Sequence, residues 1–115
     1  MERGYVKLWR RTLDSGLLQH PTAWQVFGYL LMKTAARPFK RVVAGQSVEV
    51  PVGAVLTSRS SISSDLGITE KQVRGAMAIL EKMEIVSITR ASKYSMVFLV
   101  NWHRYQQVSP ADGPA

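Results

Sequence analysis

Apolar side chains between positions 70 and 84 recur every three or four residues, which is the spacing of one face of an α-helix. The members of this apolar stripe are Val73, Ala76, Met77, Leu80 and Met83. Two runs of β-branched and aromatic residues follow at positions 85–90 and 94–100, and a short polar segment separates them. The pattern predicts a helix over residues 70–84 and a β-hairpin directly after it.

A tight turn is predicted just before this helix. Gly67 suits the left-handed conformation that ends a helix, and Thr69 suits the N-cap that begins the next one. Thr69 and Gln72 also have the spacing of a capping box, in which each side chain accepts a hydrogen bond from the backbone amide of the other. Upstream, Ser58 suits the N-cap of a short helix over residues 59–66. Together these signals predict a helix-turn-helix.

The first third of the chain is predicted to hold one apolar helix. Residues 5–9 alternate in the manner of a short strand, and Pro21 suits the first turn of a helix that extends to about Ala35. This helix is apolar nearly all round, because only Gln25 and Gly28 interrupt its apolar run. Two interpretations stay open: the helix is the floor of a small core, or it is shared with a second subunit.

The middle of the chain has the pattern of further strands. Valine-rich segments at positions 42–44 and 48–50, separated by Gly45-Gln46, predict a second hairpin. Residues 55–57 predict another strand, close to the C-terminal hairpin. The predicted fold class is therefore α+β: a winged helix-turn-helix with three helices, an extra β-hairpin and a C-terminal two-stranded wing.

The composition suits one small domain with a basic surface. The chain has 115 residues, of which 46% are hydrophobic, so we expect one domain over residues 1–107 and a disordered tail of small and turn-forming residues over 108–115. Fifteen Lys and Arg against eight Asp and Glu give a formal net charge of +7. The cations are spread along the chain, and such a charge favours a polyanionic partner, nucleic acid above all.

The predicted elements place polar and basic residues where a winged helix contacts DNA. The outward face of the second helix of the turn carries cations, an amide and a glycine that permits close backbone approach, and basic side chains stand at the wing. A solvated surface is the alternative interpretation of the same residues. The predicted DNA-binding residues are Arg59, Ser60, Thr69, Lys71, Gln72, Arg74, Gly75, Arg90 and Lys93.

Other classes of site lack their residues. The chain has no cysteine, and His20 and His103 are far apart in sequence, so we expect no disulfide, no metal and no cofactor. The serine cluster at positions 60–64 lacks a Gly-x-Ser-x-Gly elbow and a recognisable base, so we expect no catalytic residues and no enzyme. No signal peptide is evident, and the longest apolar stretch, at 23–32, is too short to span a bilayer. We expect a soluble protein of the cytoplasm.

Several segments in order carry a family resemblance: Gly4-Tyr5-Val6-Lys7-Leu8 with Leu13-Asp14-Ser15, Leu56-Thr57-Ser58-Arg59, Leu66-Gly67-Ile68-Thr69 with Val73-Arg74, and Asn101-Trp102 with Tyr105-Gln106. Over residues 4–107 the chain resembles the N-terminal winged-helix domain of phage replication-initiation and DnaD-like replisome organiser proteins. The resemblance implies a domain that binds DNA or self-associates, working with replication proteins. Gly75 departs from the pattern, because similar sequences often carry a basic or polar residue there.

These observations lead to one expectation and its alternatives. We expect a module that binds double-stranded DNA in phage-type replication initiation, in a bacterial or phage-infected cell. One alternative is a homo-oligomerisation or protein-docking module, as a dimer or higher oligomer, because the first helix is so apolar. The other is a small transcriptional regulator, which would prefer one operator strongly over random DNA.

Overall fold

The computed structural model describes residues 5–8 and 10–103. Two short 3-10 helices, Arg10–Asp14 and Leu17–Gln19, come before the first α-helix. The main elements follow in the order α1 (Pro21–Lys33), β1 (Phe39–Val43), β2 (Gln46–Val50), β3 (Ala54–Thr57), α2 (Arg59–Leu66), α3 (Glu70–Lys82), β4 (Val86–Arg90) and β5 (Ser95–Leu99). The expected α+β class is confirmed: the described residues form three α-helices and two small antiparallel sheets, which is compatible with a winged-helix-like fold.

The turn between α2 and α3 forms as the local signals predict. The Ser58 hydroxyl accepts a hydrogen bond from the Ser61 amide at 3.1 Å and caps the start of α2. Gly67 ends that helix with a φ of 69°, in the left-handed region. Thr69 and Gln72 then form both hydrogen bonds of the capping box. These caps fix the direction in which α3 leaves the turn, because they satisfy amides that the helix itself cannot.

The three-stranded sheet places the start of α2 beside the C-terminal hairpin, which consists of β4 and β5. Its strand order is β3-β5-β4, and all neighbours are antiparallel. Thr57, the last residue of β3, lies opposite Ser95, and Arg90 at the end of β4 lies opposite the same serine. Since α2 begins two residues after Thr57, its first turn is close to the loop that joins β4 to β5.

The first hairpin, β1 and β2, is longer than predicted and turns one residue earlier. Strand β1 begins at Phe39 and not at residue 42, and the turn lies at Ala44-Gly45 and not at Gly45-Gln46. Both turn residues have positive φ, 50° for Ala44 and 80° for Gly45. Such a pair matches the twist of a two-residue hairpin turn. The position was mispredicted because an alanine here adopts a conformation usually reserved for Gly, Asn or Asp.

The main core lies between α1, α3 and the three-stranded sheet. Val26 and Leu30 of α1, Val73 and Leu80 of α3, and Val97 of β5 are fully buried in it. Helix α1 therefore packs in the centre of the described domain, as one of the two interpretations of its apolar sequence expected.

A second apolar cluster attaches the first hairpin to the sheet. Val50 of β2, Ala54 and Leu56 of β3, and Met96 of β5 are buried together with Ala35. Two backbone hydrogen bonds hold the segment before β1 against the start of β3, because the Ala35 amide donates to the Ala54 carbonyl at 3.0 Å and the Gly53 amide donates to the Ala35 carbonyl at 2.9 Å. The hairpin is thus held beside the strands of the C-terminal hairpin.

Two helices end earlier than predicted, for identifiable reasons. Helix α1 ends at Lys33 because the Ala35 amide is hydrogen-bonded to the sheet and not to its own helix. Helix α3 ends at Lys82 because Glu84 takes a left-handed φ of 59°, and the amides of Glu84 and Ile85 bond back to the carbonyls of Glu81 and Leu80. This is a Schellman termination built on a residue other than glycine.

The strand predicted over residues 5–9 is wrong, and the tail prediction falls outside the description. Residues 5–8 form no strand, and Trp9 lies outside the described residues. Alternation alone does not make a strand, which needs a hydrogen-bonded neighbour; here Val6 packs on the core from an irregular segment. Residues 108–115, predicted as a disordered tail, also lie outside the described residues.

Candidate nucleic-acid interface

Helix α3 separates its apolar and polar residues onto two faces. Val73, Ala76, Met77 and Leu80 are buried, as the apolar stripe predicted. The exposed residues of the other face are Lys71, Gln72, Arg74, Gly75, Ala78 and Lys82. Among residues 5–8 and 10–103, the only ion pair of a side chain of α3 is the one formed by Glu81, so the cations of this face are unpaired. The first two turns of this face, which carry Lys71 and Arg74, are free to contact a polyanion, whereas Lys82 lies in the last turn.

A groove of about 630 Å³ runs between α3, the first turn of α2 and the C-terminal hairpin; we call it the α3 groove. It contains four cations and one carboxylate, that of Glu70. Five of the nine predicted DNA-binding residues converge there: Arg59, Ser60, Arg74, Arg90 and Lys93. They come from three separate elements, and the capped turn and the β3–β5 pairing bring them together.

Arg90 has a partner that the sequence did not reveal. It is the last residue of β4, beside α3, and its guanidinium donates to the Glu81 carboxylate at 3.0 Å. The side chains of Arg90 and Glu81 are 60% and 36% exposed. An ion pair this exposed contributes about 0–1 kcal/mol, so it holds Arg90 against α3 only weakly. Lys93, in the loop between β4 and β5, stands closer to the tip of the hairpin.

Thr69 and Gln72 act first on the backbone of α3. The Thr69 hydroxyl accepts a hydrogen bond from the Gln72 amide at 3.1 Å, and the Gln72 side-chain oxygen accepts one from the Thr69 amide at 2.9 Å. Neither side chain lines the α3 groove, and Lys71 and Gly75 lie outside it as well, on the outward face of α3. The four residues therefore form a separate part of the predicted site, of which the exposed amino group of Gln72 remains available as a donor.

A hydrogen bond between two helices engages one carboxylate near the interface. The Tyr29 hydroxyl of α1 donates to the Asp65 carboxylate of α2. Burial, the hydrogen bond to Asp65 and the negative charge of Asp65, in that order of importance, together raise the pKa of Tyr29 to about 12. The hydrogen bond ties α1 to α2, and Asp65 keeps its negative charge.

The described part of the chain offers neither a metal site nor a membrane-spanning helix. No group of three or more His, Cys, Asp or Glu side chains there is arranged to hold a metal ion. None of the helices in residues 5–8 and 10–103 has both the length and the apolar character needed to cross a membrane.

Comparison with known proteins adds no relative to this picture. No family model matches the chain, and neither a curated protein nor a solved structure matches it. The case for function therefore depends on the residues and their geometry.

Proposed function

We propose that this chain is a binding module for double-stranded DNA, and not an enzyme. The observation that carries the proposal is the α3 groove, whose lining has four cations, Arg59, Arg74, Arg90 and Lys93, and one carboxylate, that of Glu70. Arg90 also pairs with the Glu81 carboxylate. Phosphate contacts from such cations supply most of the affinity of a DNA-binding protein and fix its orientation on the duplex. The net charge of +7 adds long-range attraction.

The outward face of α3 fits the major groove. An α-helix with its side chains is about 10–12 Å wide, close to the width of the major groove of B-DNA. Lys71 and Arg74 would meet phosphates or guanine edges, and Gly75 would let the helix backbone approach. A Cβ added at Gly75 would meet no described atom within 4 Å, so the space outside it is open. Lys93 would contact the sugar-phosphate backbone beside the helix.

The first experiment is fluorescence anisotropy of a labelled random duplex, titrated with the protein at several salt concentrations. We expect tight binding at low salt and a log-log slope of about 3–5, because each phosphate contact contributes about 0.9 to the slope. Arg74→Gln should raise Kd at every salt concentration and lower the slope by about one contact. The reason is that Arg74 lines the groove and has no ion-pair partner in the described structure.

The matched control is Lys82→Gln, which removes the same charge from the same helix. Lys82 lies eight residues further along α3, about 12 Å from Arg74 along the axis, and does not line the groove. It should leave the slope unchanged. Equal Kd values for Arg74→Gln, Lys82→Gln and the unaltered protein would remove the site assignment, and no binding of the unaltered protein at low salt would refute the proposal.

The biological role we propose is replication initiation of the phage type. The resemblance to phage replication-initiation and DnaD-like replisome organiser domains supports it, and such a role also implies replication proteins as partners. A transcriptional role would differ in specificity: strong preference for one operator over random DNA would favour a regulator.

Self-association is the second candidate function, favoured by exposed apolar side chains. Leu13 is 67% exposed, and Met32 and Val42 are each 72% exposed. They lie on three different elements, and scattered apolar residues are common on monomers. Light scattering at high protein concentration tests this candidate, because a monomer there would exclude an oligomerisation module.

A further inference from the structure

A second basic groove, which we call the α2 groove, lies on the other side of α2. It encloses about 600 Å³ between the first hairpin, the C-terminal end of α1 and the exposed side of α2. Its charged side chains are Lys33, Arg41, Lys93 and Asp65, and its hydroxyl groups include those of Ser60, Ser61 and Ser64. Three cations and several hydroxyl donors thus surround one carboxylate. That composition suits phosphate oxygens.

The two grooves meet at the start of α2. Thr57, Ser58, Ser60, Lys93 and Tyr94 line both of them. Together the grooves form one path that contains six cations and two carboxylates, one of which already accepts the Tyr29 hydroxyl. A polyanion that follows the α3 groove past Lys93 would therefore enter the α2 groove without leaving positive surface.

The first hairpin has a fixed position beside this path. Val43 and Val48 pack on the second apolar cluster, in which Val50 and Met96 are buried. Since Met96 belongs to β5, the cluster joins the two hairpins directly. An arm attached in this way holds its backbone in place before a ligand arrives, which lowers the entropic cost of binding.

Strand β1 presents two neighbouring cations on opposite faces. Successive side chains of a strand alternate between its faces. Arg41, opposite Val48, lies on the face that lines the α2 groove together with Phe39 and Val43. Lys40, opposite Glu49, lies on the other face and lines neither groove. Within the described residues neither cation forms an ion pair. Lys40 therefore serves as a matched control for a substitution of Arg41.

We propose that the α2 groove is a second contact surface for the DNA backbone, on which Arg41 and Lys33 bind phosphates beyond those held by the α3 groove. The proposal rests on the proposed DNA-binding function and extends the contact surface to the first hairpin. Lys33 lies over the ring of Tyr29, with its ammonium nitrogen 5.6 Å from the ring centre, and Tyr29 in turn contacts Asp65 of α2. The extra contacts are to phosphate and carry no base specificity.

The test compares Arg41→Gln with Lys40→Gln by anisotropy titration of a random duplex at several salt concentrations. Arg41→Gln should raise Kd and lower the log-log slope by about 0.9, the value for one phosphate contact. Lys40→Gln removes the same charge from the other face of the strand, which lines neither groove, so it should leave the slope unchanged. Lys33→Gln provides an independent test from α1 and should behave as Arg41→Gln does.

Each other outcome has a definite meaning. If Arg41→Gln and Lys33→Gln retain the full slope while Arg74→Gln loses one contact, the α2 groove is not a contact surface and the proposed function stands. If Lys40→Gln lowers the slope as much as Arg41→Gln, the effect is general electrostatics and this inference is overturned. If the unaltered protein itself binds no duplex, the proposed function has failed first. Circular dichroism of each variant confirms that it is folded before titration.

Discussion

Helices α1 and α3 have the same length but differ in the residues of the face that is not buried in the core. Each has thirteen residues and buries four of them: Ala23, Val26, Leu30 and Leu31 in α1, and Val73, Ala76, Met77 and Leu80 in α3. The two helices pack against each other in one core. They differ on their other faces, because Lys33 is the one charged residue of α1 whereas α3 has five. Burial of one face therefore sets the fold equally in both, and only the remaining face distinguishes a structural helix from a candidate DNA-binding helix.

The remaining face of α1 is apolar, and other parts of the domain cover most of it. Trp24, Phe27 and Tyr29 are partly buried against the core, and the N-terminal segment adds Val6 and Leu17 to the same cluster. Helix α1 is thus covered from two sides, by α3 and by the segment before it. Packing within the described domain therefore explains why these residues of α1 are apolar, without a second subunit.

The largest effect is expected from the core contact that the two helices share. Leu30→Ala removes a fully buried side chain of α1 and should lower the free energy of unfolding by about 2–5 kcal/mol, because the cavity it leaves cannot fully collapse. Chemical denaturation followed by circular dichroism measures this loss.

The control for that variant is Met32→Ala, on the exposed side of the same helix. Met32 is 72% exposed, so its truncation should change stability by less than about 0.5 kcal/mol. A comparable loss in both variants would mean that the two faces of α1 do not differ as described.

The elements that depend on local signals could be predicted from the sequence. Ser58, Gly67 and Thr69 cap helices through contacts with residues a few positions away, so the turn and both helix starts were predictable. The turn of the first hairpin was misplaced by one residue because Ala44 adopts a positive φ that its side chain disfavours. The strand over residues 5–9 was wrong because a strand depends on a neighbour that alternation does not supply.

The candidate site was predictable only in part, because two of its features depend on distant packing. Arg59, Arg74 and Lys93 were predicted from the helix-turn-helix and hairpin patterns and do line one groove. Lys33 and Arg41 were not assigned, since Arg41 reaches this groove through the cluster that attaches the first hairpin and Lys33 through the contact of α1 with α2. Nothing near them in the sequence indicates that contact.

A smaller loss of stability is expected from a substitution where α1 meets α2. Tyr29→Phe removes the hydrogen bond to Asp65 and should lower the free energy of unfolding by about 0.5–1.5 kcal/mol at neutral pH. The pKa of Tyr29 is raised to about 12 in the folded protein, above its ordinary value of 10.0, so the neutral phenol stabilises the fold below pH 10. That contribution is lost as the pH rises from 10 to about 12. The stability difference between the protein and the variant should therefore shrink over this interval.

Urea denaturation of both proteins at a series of pH values measures that difference. Tyr94→Phe is the matched control for loss of a phenol hydroxyl, because the Tyr94 hydroxyl has no hydrogen-bond partner among the described residues. It should cost less stability at neutral pH than Tyr29→Phe. A difference between the protein and Tyr29→Phe that stays constant from pH 9 to pH 12 would contradict the assigned hydrogen bond.

The smallest change is the sharpest comparison of the two helices, because each contains one interior glycine. A Cβ added at Gly28 of α1 or at Gly75 of α3 would meet no described atom within 4 Å. Since glycine inside a helix is less favourable than alanine by about 0.5–1 kcal/mol, Gly28→Ala and Gly75→Ala should each raise the free energy of unfolding by that amount. Thermal unfolding should show a rise in Tm of a few degrees for both.

DNA affinity should separate these two equally stabilising variants. On the outward face of α3 the new methyl group of Gly75→Ala would stand between the helix backbone and the duplex, so Kd for random duplex DNA should rise. Gly28→Ala places the same methyl group on α1, away from both grooves, and Kd should stay unchanged. A gain in stability with unchanged affinity in both variants would show that α3 keeps its glycine for no reason connected with DNA. A fall in affinity confined to Gly75→Ala would mean that Gly75 makes α3 less stable than alanine would but allows the helix to approach DNA closely.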